Sequence, residues 1–259
     1  MSISQIQMKS LPIGRFGRQT AHRRRRRSTA YWMDTGVPRW AVVAAGVAPA
    51  LLIVGFLAAA MLQPISYDPL RDTISALAAR GAADPWVMTA AIAAVGACYL
   101  VTALGLSPVR RAGRLALAGG GVATLSIAAF PTPLHGYSGP HAVAVIAAST
   151  TMCAWPVLAA HRHHPTRMLS FGPNVAASAI TIALIMWFLF EINSGELGLA
   201  ERCAAVAPAL WLFPVAFGAR RALVSDHVVE GDGVAHDAVG PGAFVNLDRH
   251  YESRRTAAT

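Results

Sequence analysis

Charged residues are scarce in this sequence, and their scarcity argues against an ordinary soluble domain. Only 14% of the 259 residues are Asp, Glu, Lys or Arg, whereas soluble domains carry about a quarter. Hydrophobic residues make up 54%, and the mean hydropathy is +0.45. Several apolar runs approach or exceed the roughly 20 residues that cross a hydrocarbon core. The composition therefore predicts a membrane protein, whose spans must be helical to satisfy their backbone in lipid.

Metal-binding and nucleotide-binding patterns are also missing. The three cysteines, Cys98, Cys153 and Cys203, lie in or beside different apolar runs, with no CxxC pair and no Cys/His metal spacing. The glycine run at 119–121 is not followed by Lys-Ser/Thr, which disfavours a phosphate-binding loop and favours close contact between helices. We predict neither a bound metal nor a cofactor.

Six apolar runs organise the chain, at about residues 40–62, 86–106, 115–130, 142–160, 171–190 and 203–218. They predict an all-α fold, a polytopic bundle of six transmembrane helices that occupies residues 39–221. The flanking segments 1–38 and 222–259 are expected to be disordered tails, because neither has an apolar period. The arginine run at 23–27 suits an anionic membrane surface better than specific nucleic-acid binding.

Lys and Arg are distributed unequally between the two sides of this bundle. The side with both tails and the loops after spans two and four carries 19 of them, and the opposite side carries Arg71, Arg80 and Arg202. Positive residues accumulate in cytoplasmic loops. We predict a multi-pass plasma-membrane protein with both termini in the cytoplasm.

A polar segment at 64–77, between the first two spans, is the centre of the candidate site. Other titratable residues of both signs fall on the same side of the bundle, some of them abutting apolar runs, where unpaired burial is costly. The candidate ligand-binding residues are Tyr67, Asp68, Arg71, Asp72, Ser75, His135, His141, Glu201 and Arg202. We expect Asp72 and Glu201 to pair with the arginines or histidines.

These residues also carry a resemblance to a known family. The matching pieces, in order, are Tyr67-Asp68-Pro69, Thr73-Ile74-Ser75 with Leu77, Phe130-Pro131, His141, and Gly198 with Glu201-Arg202. Together with the six spans, they resemble the bacterial six-span membrane family catalogued as domain of unknown function number 998, over about residues 40–221. Asn is usual where Asp68 stands, and an acidic residue is frequent where Ala76 stands. The resemblance implies an architecture and a site location but no reaction.

Several functions remain open at this point. The first is recognition of a lipid or glycolipid headgroup in envelope lipid handling, with Arg71 and Arg202 holding a phosphate or carboxylate. The second is a metal-assisted membrane hydrolase similar to the alkaline ceramidases, with Ser75, Asp72, His135 and His141 as its candidates. A small-solute transporter and a scaffold are further alternatives. Membrane lipids are the expected partners, and the sequence specifies no protein partner.

Overall fold

The computed structural model describes residues 36–133, 136–161 and 167–238, with side chains up to residue 221. All contacts below lie within the unit Val37–Thr259. The helices within these ranges are α1 (Arg39–Met61), α2 (Ile74–Leu77), α3 (Pro85–Gly105), α4 (Arg111–Ala129), α5 (Gly139–Ala159), α6 (Phe171–Phe190) and α7 (Leu197–Ala238). Two short 3-10 turns flank α6. Six of the helices, all except α2, are long and apolar enough to cross a membrane. The predicted all-α, six-span architecture is confirmed.

The six long helices contact one another in chain order. Substantial contacts join α1 to α3, α3 to α4, α4 to α5, α5 to α6 and α6 to α7, and α7 in turn packs against α1. The sixth span therefore closes the bundle on the first. The packing leaves room between the helices for a cavity that all six of them line.

Glycines allow close contact where α4 meets its neighbours. A Cβ on Gly121 would lie 2.9 Å from the carbonyl oxygen of Gly96 on α3, and the reverse substitution would meet the same obstacle. A Cβ on Gly120 would collide with Met152 of α5. Without a hydrophobic driving force in lipid, such small residues let backbones approach and gain dispersion contacts. Within the run at 119–121, Gly120 and Gly121 thus lie at close helix contacts, whereas a Cβ on Gly119 would make only an ordinary contact with Thr151.

The span α6 is the least buried of the six. Only 11% of its most apolar window is buried inside the protein, against 44% for α1. Its large side chains, including Ile182, Met186 and Leu189, are about half exposed. Exposed apolar surface of this extent on a spanning helix is suited to lipid contact.

The bundle has two ends, which we name by their segments. The loop-one end carries loop one (residues 62–84) and the turns after α4 and α6, and the termini end carries the start of α1 and the turns after α3 and α5. At the termini end, Arg114 donates to the carbonyls of Ala103 (3.0 Å) and Leu104 (3.2 Å). Arg220 donates to the carbonyl of Val37 at 2.8 Å. These partly exposed arginines satisfy carbonyls at or beside helix ends.

Helix boundaries differ from the sequence analysis most at α7. This helix begins at Leu197, six residues before the predicted start of the last span, so Glu201 and Arg202 lie within its first turns. It continues past Arg221 to Ala238, into the segment predicted to be a disordered tail, and the rest of that tail lies outside the described residues. The four-residue helix α2 within loop one was not predicted.

Candidate functional site

Loop one folds back on itself through short polar side chains. Thr73 precedes α2, and its Oγ1 accepts from the backbone N–H of Ala76 at 3.0 Å, as helix-capping residues do. Asp72 accepts from the N–H of Asp68 at 2.8 Å, and Asp68 accepts from the N–H of Leu70 at 2.9 Å. Both aspartates therefore stabilise the turn that leads into α2.

Arg202 of α7 donates hydrogen bonds to loop one. Its Nη1 donates to the carbonyls of Pro69 (2.6 Å), Asp72 (2.9 Å) and Gly198 (2.8 Å), and its Nη2 donates to the phenol oxygen of Tyr67 (2.5 Å). The side chain is buried, with 9% of its surface exposed. Arg202 therefore bonds neutral oxygen acceptors, where the sequence analysis expected an acidic residue or a histidine to take part in the pairing. Within the described residues, the ion pair between side chains is that of Arg71 with Asp68, at 3.6 Å.

Tyr67 lies at the edge of this cluster. Burial raises the pKa of the phenol, and the Arg202 guanidinium, through its charge and its hydrogen bond, offsets part of that rise. Tyr67 is therefore a neutral hydrogen-bond partner near pH 7, where it can accept from Arg202 without an ionised oxygen.

The start of α7 touches loop one closely because residue 198 is glycine. A Cβ at Gly198 would collide with the carbonyl oxygen of Asp72 and lie 2.8 Å from that of Pro69. The next residue, Leu199, donates its N–H to the carbonyl of Leu70 at 3.0 Å. Both contacts place α7 directly against the turn that Arg202 binds.

Glu201, Ser75 and His141 meet beside this cluster. The Glu201 carboxyl accepts from the backbone N–H of Ile74 and lies 3.0 Å from Ser75 Oγ. Ser75 Oγ lies 3.2 Å from His141 Nε2. The other ring nitrogen, Nδ1, lies 3.0 Å from the carbonyl oxygen of Phe130, which fixes the ring orientation. Three helices, α2, α5 and α7, thus supply one continuous hydrogen-bonded chain, which we call the Glu201–Ser75–His141 chain.

A cavity of about 390 Å³ lies between the helices, and Ser75 and Glu201 are part of its wall. The rest of the wall is mostly apolar, with five hydroxyl-bearing side chains among it. It comprises Leu52, Ile74, Ile92, Val95, Tyr99, Thr124, Ile127, Val145, Ile146, Ala148, Ser149, Thr150, Met152, Thr181, Ile185, Phe188, Leu189, Ala204, Ala205 and Pro208. This volume is within the range of about 300–1,000 Å³ found for small-molecule sites.

The nine predicted site residues separate into three groups. Ser75, His141 and Glu201 form the hydrogen-bonded chain, and Tyr67, Asp72 and Arg202 form the adjoining cluster. Asp68 and Arg71 are at the surface, with side chains 46% and 74% exposed. His135 lies outside the described residues. The structure thus brings six of the nine into two neighbouring sets and leaves two in solvent.

The candidate residues for a metal-assisted hydrolase are only partly together. Ser75 and His141 are in contact, but the Asp72 carboxylate accepts from a backbone N–H of loop one. In the part of the chain that the structure describes, no three His, Cys, Asp or Glu side chains are grouped as metal ligands would be.

Sequence reasoning missed some residues that build the site. The Phe130 carbonyl holds the imidazole of His141, and Thr132 Oγ1 donates to the Ser75 carbonyl at 3.4 Å. Gln63 bridges the end of α1 to loop one through the N–H and carbonyl of Ala83. A backbone acceptor gives no sequence signal, but an isolated polar residue such as Gln63 at the end of an apolar run does.

The geometry can now be set beside known proteins. A family model described as "Protein of unknown function (DUF998)" matches residues 46–218, more than half of the chain. The chain belongs to this family. No curated protein and no solved structure matches it. The residues of the Glu201–Ser75–His141 chain and of the adjoining Arg202 cluster all lie inside the matched range, so the site is part of the DUF998 region itself.

Proposed function

We propose that this DUF998 protein binds a lipid or lipid-like amphiphile in the cavity between its spans. The observation that carries the proposal is the composition of the cavity wall, which is apolar along the spans and carries Ser75 and Glu201 where loop one meets α7. Burial of an apolar tail against such a wall is favourable, and a few polar groups fix the orientation of the head. A membrane supplies ligands of this shape.

The chemistry of the polar groups favours a head that donates hydrogen bonds. Glu201 offers carboxyl oxygens and Ser75 a hydroxyl, which suit an amine or the hydroxyls of a sugar or glycerol. Arg202 is engaged by three carbonyls and a phenol, and Arg71 is exposed beside Asp68. This arrangement replaces our expectation that the two arginines hold a phosphate.

The same proposal places the site in the plasma membrane at its outer leaflet. It is supported by the 19 Lys and Arg on the termini side against three on the loop-one side. A cysteine at position 195, in the turn after α6, should react with a membrane-impermeant maleimide in intact cells, whereas one at position 108 should react only after lysis. The reverse pattern would contradict the orientation and leave the cavity unaffected.

A hydrolase is the second candidate, favoured by the contact between Ser75 Oγ and His141 Nε2. Its weakness lies in the neighbouring amides. The N–H of Ile74 donates to the Glu201 carboxyl, and that of Ala76 donates to Thr73 Oγ1. These two amides beside Ser75 are therefore already engaged and do not form a free oxyanion hole.

Lipid co-purification tests the binding proposal with a matched pair of variants on one helix. Ala148 lines the cavity, whereas its neighbour Ala147 is exposed on the outside of α5. Native mass spectrometry and lipid extraction should find that Ala148→Phe loses the lipid that co-purifies with the wild type. Ala147→Phe, which adds the same volume outside, should retain it. Equal lipid content in folded wild type, Ala148→Phe and Ala147→Phe would overturn the proposal.

A further inference from the structure

The Glu201–Ser75–His141 chain contains more acceptors than donors in its simplest protonation state. A backbone carbonyl can only accept, so the 3.0 Å contact with Phe130 places a proton on Nδ1 of His141. A neutral imidazole then has only a lone pair at Nε2, which faces Ser75 Oγ at 3.2 Å. An ionised Glu201 also offers only lone pairs, at 3.0 Å on the other side of the same hydroxyl.

Ser75 has a single hydroxyl proton, and it cannot serve both neighbours at once. With a neutral His141 and an ionised Glu201, one of the two contacts would join two lone pairs in a buried place, which is unfavourable. One additional proton removes the conflict. It resides either on Glu201, which then donates to Ser75 Oγ, or on His141 Nε2, which then donates to the same oxygen.

We propose that Glu201, Ser75 and His141 form a proton-transfer site that holds one exchangeable proton. In one state Glu201 is a neutral acid, Ser75 donates to Nε2, and His141 is neutral. Transfer moves the carboxyl proton to Ser75 Oγ while the serine proton moves to Nε2, giving a carboxylate and an imidazolium. The serine hydroxyl is regenerated in the step, and no other reactant is required.

The two states have the same total charge, which makes exchange between them feasible away from water. The two groups carry no net charge as neutral acid and neutral base, and none as an ion pair bridged by a hydroxyl. Separate burial of either charge without its partner would be unfavourable. The serine therefore links a group in the cavity wall, Glu201, with one at the start of α5, His141.

The charged and titratable groups around the chain come mainly from α7 and loop one. Arg202 lies next to Glu201 and acts on it through its charge, and Tyr67 and Asp72 surround that guanidinium. From α3 the phenol of Tyr99 lines the cavity. The cavity-lining residues of α1, α4 and α6 are uncharged.

This inference goes beyond the proposed function, because the site is complete without a ligand. It is tested by following the two ends of the chain separately in the purified full-length protein. Infrared spectra of protein with ¹³C-labelled glutamate report the Glu201 carboxyl, and ¹⁵N-histidine NMR reports protonation of His141. Glu201→Gln and His141→Gln assign the two signals.

The wild type should show the two signals changing in the same pH steps, since the titration steps of strongly interacting groups belong to the pair. In Ser75→Ala the two transitions should separate by about one pH unit or more, whereas Ser75→Thr, which keeps the hydroxyl, should retain the wild-type behaviour. His141→Gln should shift the Glu201 transition by a similar amount, and His161→Gln at the opposite end should not.

Independent titration in the wild type, or a Glu201 transition at one pH in wild type, Ser75→Ala and His141→Gln, would overturn the proton-transfer site. The isotope labels allow the wild-type measurement to decide even where an alanine variant does not fold. The result is also separate from lipid binding. Loss of lipid in Ala148→Phe tests the cavity, and linked titration tests the hydrogen-bonded chain.

Discussion

The two ends of the bundle use arginine in the same way but to different depths. At the termini end, Arg114 and Arg220 are partly exposed, and each bonds one or two carbonyls at or near a helix end. At the loop-one end, Arg202 is buried and has four oxygen acceptors on two segments of chain, loop one and the start of α7. Each arginine at the termini end thus has one or two acceptors, whereas Arg202 alone has four. Removing charge from each end should therefore have unequal consequences.

The largest effect is expected for Arg202→Ala. The substitution leaves three carbonyls and the Tyr67 hydroxyl without their donor, and each buried acceptor left unsatisfied costs about 1–3 kcal/mol in the free energy of unfolding. Thermal melting in one detergent measures it. Arg220→Ala removes one bond at the other end and should cost about 1 kcal/mol. Equal costs for the two variants would remove the contrast between the ends.

A smaller effect is expected for Gly198→Ala. The added Cβ would collide with the carbonyl oxygen of Asp72, so that α7 must move away from loop one, at about 1–3 kcal/mol. Gly195→Ala is the matched control, because a Cβ there meets nothing within 4 Å. A melting temperature for Gly198→Ala that equals that of Gly195→Ala would show that the close contact of α7 with loop one is not needed.

Tyr67→Phe removes one of the four acceptors of Arg202 and should cost about 1 kcal/mol near pH 7. It also has a pH signature. Because burial raises the pKa of the phenol, its contribution is fully present below the ordinary tyrosine value of about 10 and is lost as pH rises through the folded-state pKa. Above about pH 10 the wild type should lose stability more steeply than Tyr67→Phe. Parallel pH curves would be inconsistent with a buried neutral phenol.

The smallest effect is expected for Arg71→Ala. Its guanidinium lies 3.6 Å from Asp68 with a side chain 74% exposed, and solvent-exposed pairs of this kind contribute close to nothing. The melting temperature should remain within error of the wild type at low and high salt. A loss comparable to that of Arg202→Ala would mean that the surface of loop one is as important as its buried side.

The spans could be predicted because each apolar run is long enough to cross a bilayer, and that signal is strong in a chain with few charges. The start of α7 could not be predicted in the same way. Glu201 and Arg202 carry charge, which indicates a loop when only hydropathy is considered. Loop one covers both residues and supplies their partners, so the helix accommodates them.

The structure brings six of the nine candidate residues into two neighbouring sets, but their partners are not the ion pairs that we expected. Sequence reasoning joins opposite charges, which led us to expect Asp72 and Glu201 to pair with the arginines or the histidines. In the structure the turn around Pro69 leaves carbonyl oxygens facing inward, and these must be satisfied as buried acceptors. Backbone partners are the same for every residue type, so the choice between a carboxylate and a carbonyl is decided by the turn geometry.

Glu201 and Arg202 are consecutive residues on a helix, so their side chains leave its axis about 100° apart. Glu201 contributes to the wall of the cavity, and Arg202 anchors loop one, which lies over that cavity. A rotation of α7 about its long axis that moved the Glu201 carboxyl away from the cavity would also move the Arg202 guanidinium away from its acceptors in loop one. Because one peptide unit joins Glu201 to Arg202, the shape of the cavity wall and the attachment of loop one would change together.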